Sequence, residues 1–260
     1  MTQNIYDNKE FFDEYAKLER SIKGIEGYRE WPLLREQLGN VSGHRILDLG
    51  TGCGYFCRVA VEKLHAKEVV GVDVSELMLN RARELTNTEL QSKIHYQQMD
   101  LENAQFNNIN GRSEKFDSVF SVFVCHYIKN LETLFTRVFE CMNSGAVFLF
   151  TVEHPIYTST RDLDPDWIPL PSSTGDSNKI IWPLSNYNDE GERVSNWLVN
   201  GVIKQHRTIA TYVNTLIKVG FRIEFMDEWF SIKSDMGGDN GPKAGPKILV
   251  IKVSKPGNHA

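Results

Sequence analysis

The chain has 260 residues, of which 41% are hydrophobic and 24% charged. That is an ordinary globular balance, with enough apolar material for a full core. Its net charge of −5 and the lack of any Lys/Arg cluster disfavour DNA or RNA as the main partner. The opening M-T-Q-N-I-Y-D-N-K-E has no basic region followed by an apolar core. No apolar run approaches the roughly 18 residues of a membrane span. A cytoplasmic protein away from membranes is therefore expected. Cys53, Cys57, Cys125 and Cys141 form no C-x-x-C pair and read as reduced thiols rather than zinc ligands.

Along the chain, Phe11, Phe12, Tyr15 and Leu18 fall at helical spacing. A second helix is expected from Trp31 to Leu38, with Pro32 in its first turn and Gly39 at its end. Arg45–Leu49 is then a short apolar strand that runs into a glycine-rich turn, and Tyr55–Leu64 a helix. Glu68–Val72 reads as a second strand, and Ser75 caps a helix with Leu77, Met78, Ala82 and Leu85 on one face. Ile94–Gln98 and Phe116–Val124 are further strands. Asn130 opens another helix, Gly145 stops it, and Ala146–Val152 follows as the fifth strand. Strands that alternate with helices predict a parallel sheet covered on both faces.

From 153 to 205 the alternation breaks, in a stretch too long for a plain loop and too rich in Trp and Tyr for disorder. It reads as a folded insertion or lid. Thr208 then caps a helix that ends at Gly220, and Phe221–Phe230 and Lys247–Val253 form a hairpin whose last strand runs antiparallel. The Gly/Pro-rich connection from Asp235 to Pro246 is expected to be mobile. One domain is expected, with a helical cap at 1–40, a core at 41–152, the insertion at 153–205 and a closing helix and hairpin at 206–260.

Chemistry concentrates at the sheet's C-terminal edge, where open α/β folds bind ligands. The first strand ends in I-L-D-L-G-T-G-C-G, where Gly50 and Gly52 permit tight turns and close approach of a ligand. Asp48 precedes them, Asp73 ends the second strand and Asp100 the third. A carboxylate at the position of Asp73 can accept from both hydroxyls of a ribose. A dinucleotide fingerprint would read G-x-G-x-x-G, whereas Tyr55 stands where its third glycine would fall. Asp48 would repel a pyrophosphate but suits a ligand with an ammonium group and a sulfonium centre.

The runs D-L-G-T-G-C-G, V-V-G-V-D-V-S-E-L-M-L-N-R-A-R, M-D-L and F-D-S-V-F-S-V-F-V-C-H-Y resemble the class I S-adenosylmethionine-dependent methyltransferases in order and spacing. E-W-P-L-L-R, E-H-P-I-Y-T, Y-N-D-E-G-E-R and V-I-K-Q-H-R-T-I-A-T-Y extend the resemblance to a bacterial-type small-molecule branch over almost the whole chain. The segment G-G-D-N-G-P-K-A-G-P departs from the helical stretch that the family pattern has there. The resemblance implies an α/β Rossmann-like fold with a seven-stranded, mostly parallel sheet of order 3-2-1-4-5-7-6 and an antiparallel last strand. It implies S-adenosyl-L-methionine as cofactor, with Gly50, Thr51 and Gly52 around its methionine part and Asp48 at its ammonium. Asp73 is implied on the ribose, Val74 and Met78 beside the adenine, and Asp100 and the Leu101 N–H on the adenine's polar edge. Val122 and Phe123 would line the approach to the methyl group, and Tyr15 of the N-terminal helices would touch the cofactor.

His126, His154 and His206 stand at or near the functional edge and are candidates for proton transfer, although a hydrogen-bonded structural role is the commoner one for each. Trp167, Trp182, Tyr187 and Trp197, with Tyr157, are candidates for an aromatic acceptor pocket or for the insertion's own core. Methyl transfer needs mainly alignment and exclusion of water, so neither the acceptor nor its O, N, S or C nucleophile is written in the motifs. The expected activity is methylation of a small molecule. The alternatives are an NAD-dependent oxidoreductase, a non-catalytic cofactor-binding protein and a methyltransferase acting on protein or RNA. A monomer and a homodimer are equally compatible with the sequence.

Overall fold

Seven strands pair into one sheet: β1 (Arg45–Leu49), β2 (Glu68–Asp73), β3 (Ile94–Gln98), β4 (Phe116–Val122), β5 (Met142–Glu153), β10 (Arg222–Trp229) and β11 (Ile248–Ser254). They come from a computed structural model that describes residues 3–106, 109, 113–164, 166, 168–169, 180–230 and 246–257. The order is β3-β2-β1-β4-β5-β11-β10, which is 3-2-1-4-5-7-6 when only these seven are counted. β1 to β5 pair in parallel, and β11 runs antiparallel to both β5 and β10. The chain thus has the Rossmann-like methyltransferase fold.

β1 and β2 are buried along their whole length, as expected of strands covered on both faces. One face packs against α6 (Leu131–Cys141) and α8 (Ile209–Val219) through Phe135, Val138, Phe148, Phe150 and Leu216. The other packs against α3 (Trp31–Leu38) and α4 (Tyr55–Glu62) through Leu34, Phe56, Ala60, Val69 and Phe120. The caps form where the sequence puts them. Ser75 Oγ accepts from Met78 N (3.1 Å) at the start of α5 (Glu76–Leu85), Asn130 Oδ1 from Thr133 N (3.2 Å) and Thr208 Oγ1 from Thr211 N (3.2 Å). Such caps contribute about 1 kcal/mol each.

Two expectations need correction. The first helix, α1 (Lys9–Tyr15), stops short of Leu18, which instead precedes the one-turn α2 (Glu19–Ile22) with extended backbone. Gly145 does not stop α6, which ends at Cys141. It sits inside β5, where the register with β4 jumps from Phe116↔Met142 to Ser118↔Val147. Within this irregularity Gly145 takes φ 80°, and its N–H donates to Lys255 O (2.8 Å).

Between β5 and α8 the chain forms α7 (Pro155–Thr158), the short pair β6 (Ile168–Pro169) and β7 (Ile180–Ile181), and a hairpin of β8 (Gly191–Trp197) and β9 (Val199–His206). Trp167 and residues 235–245 of the expected mobile connection lie outside the described residues. The N-terminus reaches across to the hairpin. Gln3 Nε2 donates to Gly201 O and Gln3 Oε1 accepts from Ile203 N, both at 2.9 Å. Asp7 meanwhile accepts from Ser75 Oγ (2.6 Å) and Leu77 N (3.0 Å) at the start of α5. The first residues therefore tie the hairpin to the sheet's C-terminal edge.

Candidate active site

At the end of β1 the chain turns through Gly50 and Gly52 at φ 68° and 53°. The N–H groups of Gly50 and Thr51 both donate to Val72 O, at 2.8 and 3.0 Å, which holds the turn against β2. A Cβ on Gly50 would come within 2.2 Å of Val124 Cγ2, so this turn needs glycine for space as well as for φ. At Gly52 a Cβ would meet nothing within 4 Å, on a residue that lines an open cavity.

Two carboxylates flank the turn. Asp73 accepts from Gly52 N (2.8 Å) and from Ser75 N (2.9 Å). Burial raises its pKa, and these backbone donors oppose the shift. Asp48, 3% exposed, accepts from Thr51 Oγ1 (2.6 Å) and Cys57 Sγ (3.4 Å). Burial pushes its carboxyl up to about 7; the two hydrogen bonds oppose this and the charge of Asp73 adds to it. The unfolded value is near 3.9, so folding favours the protonated form. This contribution to stability is fully present below about pH 4 and is lost as the pH rises through about 7. Asp48→Asn is therefore expected to gain stability relative to the wild type between pH 5 and pH 8, read by thermal unfolding at both pH values. A ligand ammonium needs the ionised form, so wild-type cofactor affinity should fall below pH 7 and binding at pH 6 should release a proton. Calorimetry in two buffers of different ionisation enthalpy measures that proton, and pH-independent binding would contradict the assignment.

The cavity has a volume of about 740 Å³ and runs along the C-terminal edge of the sheet. Neighbouring strands stand about 4.8 Å apart, so strand order gives its layout. Asp73 (β2), Asp48 with the glycine turn (β1), Val122 (β4), Glu153 (β5) and Ile248 (β11) line it in that order, and Trp229 at the end of β10 closes the row. An aromatic group from the N-terminus covers it. Tyr6 packs edge-on against Phe11, Tyr15 and Tyr127, while Phe11 and Tyr15 pack on Trp197 of the hairpin. Arg20 lies over the rings of Tyr28 (4.2 Å) and Phe123 (4.7 Å) and pairs with Glu30 (3.2 Å), and its buried Nε has no hydrogen-bond partner among the described residues. Phe123 itself adopts φ 59°, a strained geometry for an aromatic residue, and its N–H donates to Thr151 O (3.1 Å).

Of the residues singled out from sequence, Tyr15, Asp48, Gly50, Thr51, Gly52, Asp73, Val74, Met78, Leu101, Val122, Phe123, His126, Tyr157 and Trp197 line this one cavity. Five do not. Asp100 is drawn into its own turn, where Oδ1 accepts from Glu102 N (3.1 Å), and the next residue, Leu101, reaches the cavity instead. Trp182 packs on Tyr157 and donates to Ile156 O, and Tyr187 packs on His206. His154 is engaged at both ring nitrogens, by Glu228 Oε1 (2.9 Å) and Ile156 N (3.3 Å). So is His206, by Thr158 Oγ1 (2.8 Å) and Tyr187 O (2.9 Å). Neither ring is placed to exchange a proton with a ligand. Burial, with Lys204 and Arg207 nearby, holds the pKa of His126 well below the usual value and keeps the ring neutral. Its Nδ1 accepts from Glu153 N (3.4 Å), which places the ring proton on Nε2. Cys53 is pushed up to about 11 by burial and carries no activated thiolate. The reading from sequence missed Tyr6, Arg20, Glu30, Glu153 and Lys204, all of which line the cavity.

Residues 46–145 match the family model described as a methyltransferase domain. The solved structure of an S-adenosylmethionine dependent methyltransferase from Mesorhizobium loti is 34% identical, covers 89% of this chain and 100% of its own, and superposes with a TM-score of 0.76. An uncharacterized protein from Haemophilus influenzae is 31% identical over 97% of both chains. Phosphoethanolamine N-methyltransferase 2 from Haemonchus contortus, solved with S-adenosyl-L-methionine, shares the fold at 19% identity and TM-score 0.55, with 95% of this chain and 60% of that one covered. The strand order described above is that of a class I methyltransferase. The chain belongs to the S-adenosylmethionine-dependent methyltransferases, and S-adenosyl-L-methionine is its cofactor. The residues present fit it. Asp48 offers a carboxylate to an ammonium, Arg20 an unpartnered buried N–H to a carboxylate, and Gly52 open space beside both acids.

Proposed function

We propose that this enzyme methylates a small, partly apolar or aromatic molecule at an O, N, S or C nucleophile. One observation carries this reading. The cavity that holds Asp48, the glycine turn and Asp73 is also lined by Phe123, Tyr127, Tyr157 and Trp197, within a total of about 740 Å³. That volume lies in the range of small-molecule sites. Gly50, Thr51 and Gly52 pack on the methionine part of the cofactor, with Asp48 and Arg20 at its charged ends. Asp73 takes the ribose hydroxyls, Val74 and Met78 flank the adenine, and the Leu101 N–H meets its polar edge. Val122 and Phe123 line the approach to the reacting centre. S-adenosyl-L-methionine supplies an electrophilic methyl group on a sulfonium.

The protein's own part is to align the acceptor and keep water out. Residues 153–205 act as the lid and 1–40 as the cap over the 41–152 core, and 206–260 completes the sheet of this single domain. His126, with its proton on Nε2, donates to the acceptor rather than taking a proton from it. The net charge of −5 supports an enzyme that acts on no nucleic acid, and the four free, buried cysteines support a cytoplasmic one. The test is incubation of the enzyme with methyl-tritiated cofactor and a size-fractionated cell extract. Label should enter the small-molecule fraction; label confined to protein or RNA would sink the proposal.

A further inference from the structure

Resting on that reading, we infer that the acceptor is a neutral planar hydroxyl compound, a phenol or enol, whose O–H is read by the Glu153–Lys204 pair. The two residues come from different elements, β5 and β9, and both line the cavity, with Lys204 Nζ 2.7 Å from Glu153 Oε2. Their side chains are only 29% and 11% exposed, so neither charge is fully solvated. A half-buried pair gains little stability, because desolvation offsets the Coulomb attraction. Its position on a cavity wall gives it a ligand to serve.

The pair sets a donor and an acceptor side by side. A ligand carboxylate would be attracted by Lys204 and repelled by Glu153, and a ligand ammonium would meet the reverse. A hydroxyl satisfies both at once, accepting from the ammonium and donating its proton to the carboxylate. His126, neutral and with Nε2–H, lines the same cavity without adding charge. The flanking surfaces are flat and aromatic. Trp197 lies under Lys204 (5.4 Å to the ring centroid), and Tyr157 and Tyr127 line the walls. They suit a planar ring carrying the hydroxyl. Lys247, beside Ile248 on the next strand, also lines the cavity and gives the competing outcome: if it reads the head group, a carboxylate is preferred.

Three probes on one ring separate these outcomes: 1-naphthol, 1-naphthoate and 1-naphthylmethylamine, which carries an ammonium at neutral pH, titrated into the full-length enzyme loaded with S-adenosylhomocysteine. The naphthol should bind at least tenfold more tightly than either of the others. Lys204→Met and Glu153→Gln should each erase that preference. Titration of S-adenosylhomocysteine into each variant checks separately that the fold and the cofactor end are intact. A preference for naphthoate or naphthylmethylamine, no binding of any probe, or a naphthol preference that survives both substitutions would overturn the inference. Cofactor binding measured in the same samples would still stand or fall by itself.

Discussion

A Gly50→Ala enzyme is expected to lose measurable cofactor binding and to unfold several degrees below the wild type. Two costs add. Alanine at φ 68° pays roughly 1–2 kcal/mol for the left-handed backbone, and its Cβ would lie 2.2 Å from Val124 Cγ2. Relieving that overlap costs about 1–3 kcal/mol more in a packed site. It also moves either the turn or Val124, and both line the cavity. Gly145→Ala is the control. Gly145 has φ 80°, but a Cβ there would meet nothing within 4 Å, and the residue sits on β5 away from the cavity lining. It should lose only the backbone term and keep wild-type cofactor affinity. Thermal unfolding and calorimetric titration of both variants measure the contrast. Equal cofactor affinity in the two would contradict the close-approach role of Gly50.

Asp73→Ala should weaken binding of S-adenosylhomocysteine at least tenfold, about 1.4 kcal/mol. The carboxylate that would meet a ribose also accepts the N–H groups of Gly52 and Ser75. Its removal takes away a charged partner of the ligand and frees the turn that carries Gly52. Hydrogen bonds to a charged group are worth about 1.5–3 kcal/mol each, so tenfold is the lower end of the expected loss. Asp73→Asn keeps one carbonyl oxygen for the backbone donors and should fall between wild type and Asp73→Ala. Wild-type affinity in Asp73→Ala would remove the acid from the site.

The sheet was legible because periodicity and caps act locally. Ser75, Asn130 and Thr208 cap where a short polar side chain precedes an apolar stripe, and the strand–helix alternation left few orders for the sheet. The glycine turn and Asp73 were legible for a similar reason. They stand at fixed offsets from strand ends, and strand ends converge on one edge.

What escaped the sequence is long-range or directional. Glu153 and Lys204 meet across 51 positions, and Arg20 reaches Phe123 from another element, so no local spacing announces either contact. His154 and His206 stand near the edge, but only the fold decides which way a ring points, and hydrogen bonds on both nitrogens turn them inward. Asp100 follows its strand as Asp73 does, yet a side-chain bond to Glu102 N closes a local turn and leaves Leu101 at the cavity. The bulge at Gly145 replaces a helix stop because the same positive φ serves both purposes.

The most direct measurement is calorimetric titration of the wild-type enzyme with S-adenosylmethionine and S-adenosylhomocysteine at pH 8, where Asp48 is ionised. Micromolar binding of both, about −8 kcal/mol, is the result that the geometry of Asp48, the glycine turn and Asp73 predicts. No binding of either ligand to folded protein would contradict the assignment of this cavity to the cofactor.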